Sequence, residues 1–106
     1  MAKKRILVVD DETKLVMAIR IRLEQAGYEV LAAYDGQEGL EKAKEEKPDL
    51  IVLDLMLPKM DGYKVCGLLK ADTRYGKIPS IILTARAQES DEKFGLECGA
   101  DAYIIK

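Results

Sequence analysis

The feature that most constrains this chain is a series of five short apolar runs that do not alternate with polar residues. The runs are ILVV at 6–9, VLAA at 30–33, LIVL at 50–53, SIIL at 80–83 and AYII at 102–105. Strands that are apolar on both faces are typical of a parallel sheet covered by helices on both sides. The sequence therefore predicts five strands of one parallel sheet.

Helical patterns fill the stretches between these runs. We predict helices at 13–26, 36–47, 63–70 and 90–98. The first has an apolar stripe at spacings of three and four, formed by Leu15, Ile19, Leu23 and Ala26. Gly27 follows it at the position of a C-terminal cap.

The second and third helices carry further local signals. The second begins with a capping-box pattern, Asp35 and Glu38, and ends before Pro48. The third helix is expected to carry the apolar residues Val65, Leu68 and Leu69. Alternating strands and helices predict a single α/β domain with right-handed crossovers. In such open sheets, ligands bind beyond the carboxyl ends of the strands.

Composition limits the classes of partner. The chain has 106 residues, 48% of them hydrophobic, with 17 basic and 19 acidic side chains and a net charge of −2. This balance predicts no direct binding of nucleic acid or of an anionic membrane by this domain. The first apolar run is shorter than the apolar region of a signal peptide, which has ~7–15 residues. No run approaches the ~20 residues of a membrane span. We predict a cytoplasmic protein.

Histidine is absent and there are two cysteines, Cys66 and Cys98. The lack of histidine excludes a histidine general base, zinc sites with histidine, and phosphohistidine on this chain. The cysteines lack metal-ligand spacing, and two buried or half-buried thiols are expected rather than a disulfide. Because the chain has no histidine, any phosphoryl donor must be another molecule.

Polar residues directly follow four of the five runs. They are Asp10 and Asp11, Asp54, Thr84 and Lys106. Neighbouring carboxylates repel each other, and a divalent cation relieves that repulsion. Oxygen ligands favour Mg²⁺ over zinc, while a lysine and a hydroxyl suit a phosphate. The set predicts phosphoryl transfer onto Asp54.

Four motifs occur in order across residues 4–106: DD, LDLMLPKMDG, LTA and GADAYIIK. Together they resemble the receiver domain of two-component response regulators, including chemotaxis receivers. The resemblance implies a doubly wound, flavodoxin-like, five-stranded parallel sheet with strand order 2-1-3-4-5. Receivers continue past the final lysine into a fifth helix, so residues 1–106 are expected to form a receiver domain that lacks this helix.

The resemblance also implies which residues hold the metal and accept the phosphoryl group. Asp54 is the expected phosphoacceptor. The expected Mg²⁺ ligands are Asp10, Asp11, Asp54 and the backbone carbonyl of Met56.

Other positions are expected to respond to phosphorylation. Thr84 and Lys106 are expected to contact the phosphoryl group. Thr84 and Tyr103 are the expected switch pair, because the threonine moves toward the phosphoryl group while the aromatic ring turns inward. Met56 and Arg86 are the positions expected to tune the lifetime of the acyl phosphate.

The family's partners follow from the same resemblance. A sensor histidine kinase or a phosphotransfer protein is expected to donate the phosphoryl group. An output domain or a partner protein is expected to read the change. The open sheet face left by the missing helix makes a homodimer a further expectation. The domain is expected to act as a signalling switch, with only self-catalysed transfer and slow autodephosphorylation.

Three other functions stay open at this point. One is a truncated or inert receiver scaffold that keeps the residues but not the switch. Another is a phosphohydrolase with an aspartyl nucleophile, although such enzymes carry a second acid where this chain has Met56. A flavodoxin-like cofactor binder is the third, but the acidic DDETK segment would repel a flavin phosphate. A simple helix cap at Asp54 would leave the coincident acids, threonine and lysine unexplained.

Overall fold

A computed structural model describes residues 3–54, 57, 62–84 and 101–105. Within the sheet and helices, the side chains of Tyr63, Thr84, Tyr103 and Ile105 are outside that description. The elements in chain order are β1 (Arg5–Val9), α1 (Thr13–Gln25), β2 (Glu29–Ala33), α2 (Gly36–Glu46), β3 (Leu50–Asp54), α3 (Gly62–Ala71), β4 (Ser80–Thr84) and β5 (Ala102–Ile105). The helix predicted at 90–98 lies outside the described residues.

The strands form a parallel sheet in the order β2-β1-β3-β4-β5. Strand β1 pairs with β2 on one side and with β3 on the other, so that Val9 lies opposite both Ala33 and Leu53. Strand β4 pairs with β3, and β5 pairs with β4. The predicted α/β class with a parallel, flavodoxin-like sheet is confirmed.

The two faces of the sheet build two separate hydrophobic clusters. Alternate residues of a strand point to opposite faces, and accordingly Leu7 and Val9 lie in one cluster while Ile6 and Val8 lie in the other. Helices α2 and α3 cover the first cluster, and α1 covers the second through Val16. Covering on both faces explains why the strands read as continuous apolar runs.

The sequence prediction for α3 was wrong in one position. Val65, Leu69 and the Cys66 thiol are buried as expected, but Leu68 is 44% exposed. A helix turns by about 100° per residue, so residues 65, 66 and 69 share one face while residue 68 points away from its centre. Cys66 is therefore part of the hydrophobic core.

The apolar stripe predicted for α1 was also shifted. Ile19 and Leu23 pack against the cluster, but the buried residue of the helix is Val16. Ala26 is the C-cap residue and is exposed, so it does not extend the stripe. Packing against β1 and β2 buries Val16 rather than the other apolar residues of the helix.

The predicted helix ends are confirmed at two places. Gly27 has a φ of +98° and follows the C-cap of α1. Its N–H donates to Glu24 O, and the N–H of Tyr28 donates to Leu23 O, which is the hydrogen-bond pattern of a Schellman motif. At the start of α2, Asp35 Oδ1 accepts a hydrogen bond of 2.8 Å from the N–H of Glu38. These local signals were readable because each spans only a few residues.

Gly39 allows α2 to lie against β1. A Cβ atom there would stand 2.7 Å from Val9 Cγ1 and 2.9 Å from Cγ2. We expect Gly39→Ala to destabilise the protein by about 1–2 kcal/mol, because overpacking outweighs the gain in helix propensity. Gly67→Ala in α3 is the matched control, since nothing lies within 4 Å of its Cβ position. Urea unfolding should show the control to be stabilised by about 0.5–1 kcal/mol. Equal effects of the two changes would contradict the packing argument.

A polar network joins α3, β4 and β5 at the amino end of the sheet. Lys70 Nζ donates to Gly76 O (3.2 Å), Ile78 O (2.7 Å) and Asp101 Oδ2 (3.0 Å). Asp101 Oδ2 also accepts from the N–H of Ser80 at 2.8 Å. The Ser80 N–H, and then Lys70, hold the pKa of Asp101 below its ordinary value of 3.8.

This lowered pKa predicts a pH dependence of stability. Because Asp101 binds its proton less readily in the folded state, its contribution is present above pH 3.8 and is lost as pH falls through its folded pKa. We expect the loss of stability in Asp101→Asn to be constant from pH 7 to about 5 and to shrink below pH 4. Urea midpoints across this range measure it. Gly67→Ala should show a pH-independent difference, and an Asp101→Asn difference that stays constant to pH 2.5 would contradict the prediction.

Candidate metal and phosphoacceptor site

Three acids come together at the carboxyl ends of the neighbouring strands β1 and β3. Val9 pairs with Leu53, so Asp10 and Asp54 follow at the same edge of the sheet. One carboxylate oxygen from each of Asp10, Asp11 and Asp54 lies within 4.8 Å of the other two. Asp10 and Asp54 are only 1% and 4% exposed, whereas Asp11 is exposed at the rim. The predicted acidic cluster therefore exists.

Backbone hydrogen bonds hold Asp10 in this position. Its N–H donates to Ala33 O at 3.1 Å, which continues the pairing of β1 with β2 by one residue. Its Oδ1 accepts from the N–H of Glu12 at 2.9 Å. Glu12 is also the N-cap residue of α1, so the start of the helix and the orientation of the Asp10 carboxylate are linked.

The exposed member of the cluster, Asp11, borders an open depression in the surface. Asp11, Glu12, Thr13 and Lys14 line this depression. The arrangement thus combines two buried carboxylates with an exposed third one beside a surface opening.

The donor chemistry fits a hard divalent cation. Carboxylates within 4.8 Å of one another repel, and the effect is strongest for buried groups because little water screens them. A divalent cation offsets this repulsion, and oxygen ligands favour Mg²⁺ or Mn²⁺. The three residues present therefore suit such an ion.

The structure places some of the other predicted residues only by their backbone. Asp54 pairs with Leu83, so Thr84 ends β4 one residue further along the same edge. Thr84 pairs with Ile105, and Tyr103 pairs with Ile82. Three predicted positions, Met56, Arg86 and Lys106, lie outside the described residues. Of the predicted site, the structure brings together Asp10, Asp11 and Asp54.

Sequence reasoning missed two supporting residues. The role of Glu12 depends on its backbone N–H, which any residue would supply, so no side-chain signal could have revealed it. Gly39 contacts Val9, the neighbour of Asp10, and a glycine within a helical pattern was a readable signal of close packing.

Comparisons with known proteins agree with this geometry. The family profile described as the response regulator receiver domain matches residues 6–106. The chain is 52% identical over 103 residues to the alkaline phosphatase synthesis transcriptional regulatory protein PhoP of Bacillus subtilis. The aligned region covers 97% of this chain and 42% of PhoP. The chain thus spans less than half the length of this relative.

Solved structures show the same fold. Chemotaxis response regulator CheY4 of Vibrio cholerae superimposes with a TM-score of 0.93 at 30% identity, over 99% of this chain and 88% of that one. The Mn²⁺-bound form of response regulator Rcp1 gives a TM-score of 0.89 at 28% identity, over 97% and 81% of the two chains. The acidic cluster, the sheet and these matches together show that the chain belongs to the response regulator receiver domain family.

Proposed function

We propose that residues 1–106 form a receiver domain that accepts a phosphoryl group on Asp54 from a partner protein. One observation carries the proposal: three carboxylates from two adjacent strands converge within 4.8 Å, and the Asp54 carboxylate is among the buried ones. Burying a carboxylate beside two others lowers the stability of the folded state. Such an arrangement therefore indicates a functional role for Asp54 rather than a role in folding. The five-stranded order 2-1-3-4-5 is the architecture that we propose for the whole domain, supported by the pairing of β5 with β4.

The transfer step follows from the nucleophile. One carboxylate oxygen of Asp54 donates an electron pair to the phosphorus of a phosphohistidine on the partner. An O–P bond forms while the donor's N–P bond breaks, and the leaving imidazole nitrogen takes up a proton from water. In autodephosphorylation, water attacks the phosphorus, the O–P bond breaks, and inorganic phosphate leaves the restored carboxylate. Positioning supplies most of the catalysis in such transfers.

We propose that Asp10, Asp11 and Asp54 hold Mg²⁺ together with the backbone carbonyl of Met56. When bound, the ion would offset negative charge on the carboxylates and on the phosphoryl oxygens. The Mn²⁺-bound form of the related Rcp1 supports a divalent cation in this fold. The hydrogen bond from the Glu12 N–H to Asp10 Oδ1 would keep that carboxylate oriented whether or not the ion is present.

The remaining predicted residues complete the proposal. Thr84 and Lys106 would contact the phosphoryl oxygens as a hydroxyl donor and a cation. Phosphorylation adds about −1.5 to −2 charge, which would draw Thr84 toward the group and let Tyr103 turn inward. Met56 and Arg86 would tune the lifetime of the acyl phosphate. The position of Thr84 at the end of β4, beside β3, supports this assignment.

We propose a sensor histidine kinase or a phosphotransfer protein as the donor, in the cytoplasm. The output would lie in a further domain or a partner protein. The match to only 42% of the length of the transcriptional regulatory protein PhoP supports this view. Among the described helices, none has the length and apolar character needed to cross a membrane.

Intact mass spectrometry after incubation with acetyl phosphate tests the phosphoacceptor. The wild-type chain should gain one phosphoryl group with Mg²⁺ and none with excess EDTA. Asp54→Asn should gain none under either condition, while the matched change Asp49→Asn, away from the acidic cluster, should behave as wild type. No adduct on a cooperatively folded wild-type chain would favour the inert scaffold. Multiple turnover of a small phosphate ester would favour the phosphohydrolase.

A further inference from the structure

The Lys70–Asp101 network lies at the end of the sheet opposite the acidic cluster. Lys70 is in the last turn of α3, and its side chain is 15% exposed. Its ammonium group reaches two loop carbonyls and the Asp101 carboxylate, at 2.7–3.2 Å. A largely buried ammonium needs such partners, because its lost hydration must be replaced. The network is therefore a specific connection between α3 and the residue that precedes β5.

The same carboxylate also binds the start of β4. Asp101 Oδ2 accepts from the Ser80 N–H at 2.8 Å, and the Asp101 N–H donates to Ser80 O at 2.9 Å. Ser80 is 1% exposed. Two hydrogen bonds thus tie Asp101 to Ser80 immediately before the first β4–β5 pair, Ile81 with Ala102.

This connection is placed to determine the register of β5. The strand has four residues, and it pairs with β4 at the edge of the sheet. A slip of one residue would turn every side chain of β5 to the opposite face. It would also take Asp101 away from both Ser80 and Lys70, whose positions are set by β4 and α3. The observed register is therefore favoured over the slipped one.

Register at the amino end decides which residues meet at the carboxyl end. From Ala102 to Ile105 the strand advances about 10 Å, at roughly 3.3 Å per residue. Thr84 pairs with Ile105, and Lys106 follows directly in the sequence. Asp101 directly precedes β5, at the end of the strand opposite to Ile105, so we expect any effect on the reaction to pass through the strand.

We propose that Lys70 and Asp101 are positioning residues that hold β5 in register, and so determine which residue of β5 pairs with Thr84 at the end of β4, directly before Lys106 in the sequence. This inference rests on the proposed phosphoryl transfer. The acidic cluster lies at the carboxyl ends of β1 and β3, whereas the side-chain hydrogen bonds of Lys70 and Asp101 given above join α3, the loop before β4 and the start of β4. The inference therefore separates two properties: phosphoryl uptake depends on Lys70 and Asp101, whereas metal affinity does not.

The experiment compares Asp101→Asn and Lys70→Met with the wild-type chain. Each removes one member of the ion pair and preserves approximate side-chain size. The control is Asp72→Asn, which breaks the 2.9 Å ion pair with Arg74 near the same end of α3 but leaves β5 untouched. The initial rate of uptake from acetyl phosphate with saturating Mg²⁺ is measured by intact mass, and the affinity for Mn²⁺ by calorimetry. Temperatures well below each variant's unfolding midpoint ensure that all chains are folded.

We expect the uptake rate to fall about 10-fold or more in both variants, because small misplacements of positioned groups cost up to roughly 100-fold. The Mn²⁺ dissociation constant should change less than about 2-fold, and the control should match the wild type in both properties. Lys106→Ala combined with Asp101→Asn should be no slower than Lys106→Ala alone, because the two changes remove the same contribution.

Hydrogen exchange gives a second readout. In both variants the amides of Ala102–Ile105 should exchange faster, while those of β1 and β3 keep their protection. Unchanged uptake and unchanged β5 protection in folded variants would overturn the inference and leave the proposed function intact. Equal losses of uptake and of Mn²⁺ affinity would also overturn it, since they would indicate general disruption. A folded wild-type chain without any uptake would instead remove the proposed function, and this inference with it.

Discussion

Asp54→Asn should make the metal-free protein more stable, although it removes the proposed phosphoacceptor. The Asp54 carboxylate is 4% exposed and lies within 4.8 Å of two others. Removing its charge relieves that repulsion, and we expect a gain of about 1–3 kcal/mol in the free energy of unfolding. Urea unfolding in excess EDTA at low ionic strength measures the gain.

The other members of the cluster give a graded control. Asp11→Asn should stabilise the metal-free protein less, because Asp11 is exposed and water screens its charge. Glu45→Gln, an equal charge change on the exposed side of α2, should have an effect within about 0.5 kcal/mol. Saturating Mg²⁺ should raise the stability of the wild type and of Glu45→Gln, but much less that of Asp54→Asn. A metal-free Asp54→Asn chain that is less stable than wild type would show that repulsion does not dominate.

Leu53→Ala is expected to have the largest effect on stability. Leu53 is fully buried in β3, directly before Asp54, and belongs to the cluster covered by α2 and α3. The loss of transfer free energy, together with the cavity left behind, should cost about 2–5 kcal/mol. Because small domains have total stabilities of roughly 5–15 kcal/mol, this change alone could leave the chain marginally folded. Urea unfolding monitored by circular dichroism measures the cost.

Leu68→Ala is the matched control for this change. It deletes the same atoms from a leucine that is 44% exposed on α3. We expect a cost within about 0.5 kcal/mol, since little apolar surface leaves the core. A large cost at Leu68 would show that its side chain is part of the core and that the packing of α3 described here is wrong.

The strands were predictable because burial on both faces leaves a local signature. Each apolar run appears as a strand with limits within one residue of the predicted ones, as in β1 and β3. The cap at Gly27 was equally local, since one residue with positive φ and two backbone hydrogen bonds define it. Such features depend on neighbours only a few residues away.

The rotation of the helices was not predictable from the sequence. In α3, four apolar residues lie within two turns, and only contact with the sheet selects Cys66 over Leu68. In α1 the same choice falls on Val16. A periodic pattern defines an apolar side of a helix broadly, but its packing partner determines which residues are buried.

The candidate site shows the same division. By itself, the sequence determined that acids follow two apolar runs, because strand ends and side-chain types are local properties. A parallel sheet also predicts that these acids share one edge. Only the tertiary structure decided that one oxygen of each carboxylate lies within 4.8 Å of the others, since this depends on the register of β1 with β3 across more than 40 residues. The Glu12 N–H on Asp10 and the contact of Lys70 with Asp101 likewise arise only when distant segments pack, because hydrogen bonds of this kind leave no periodic signal in the chain.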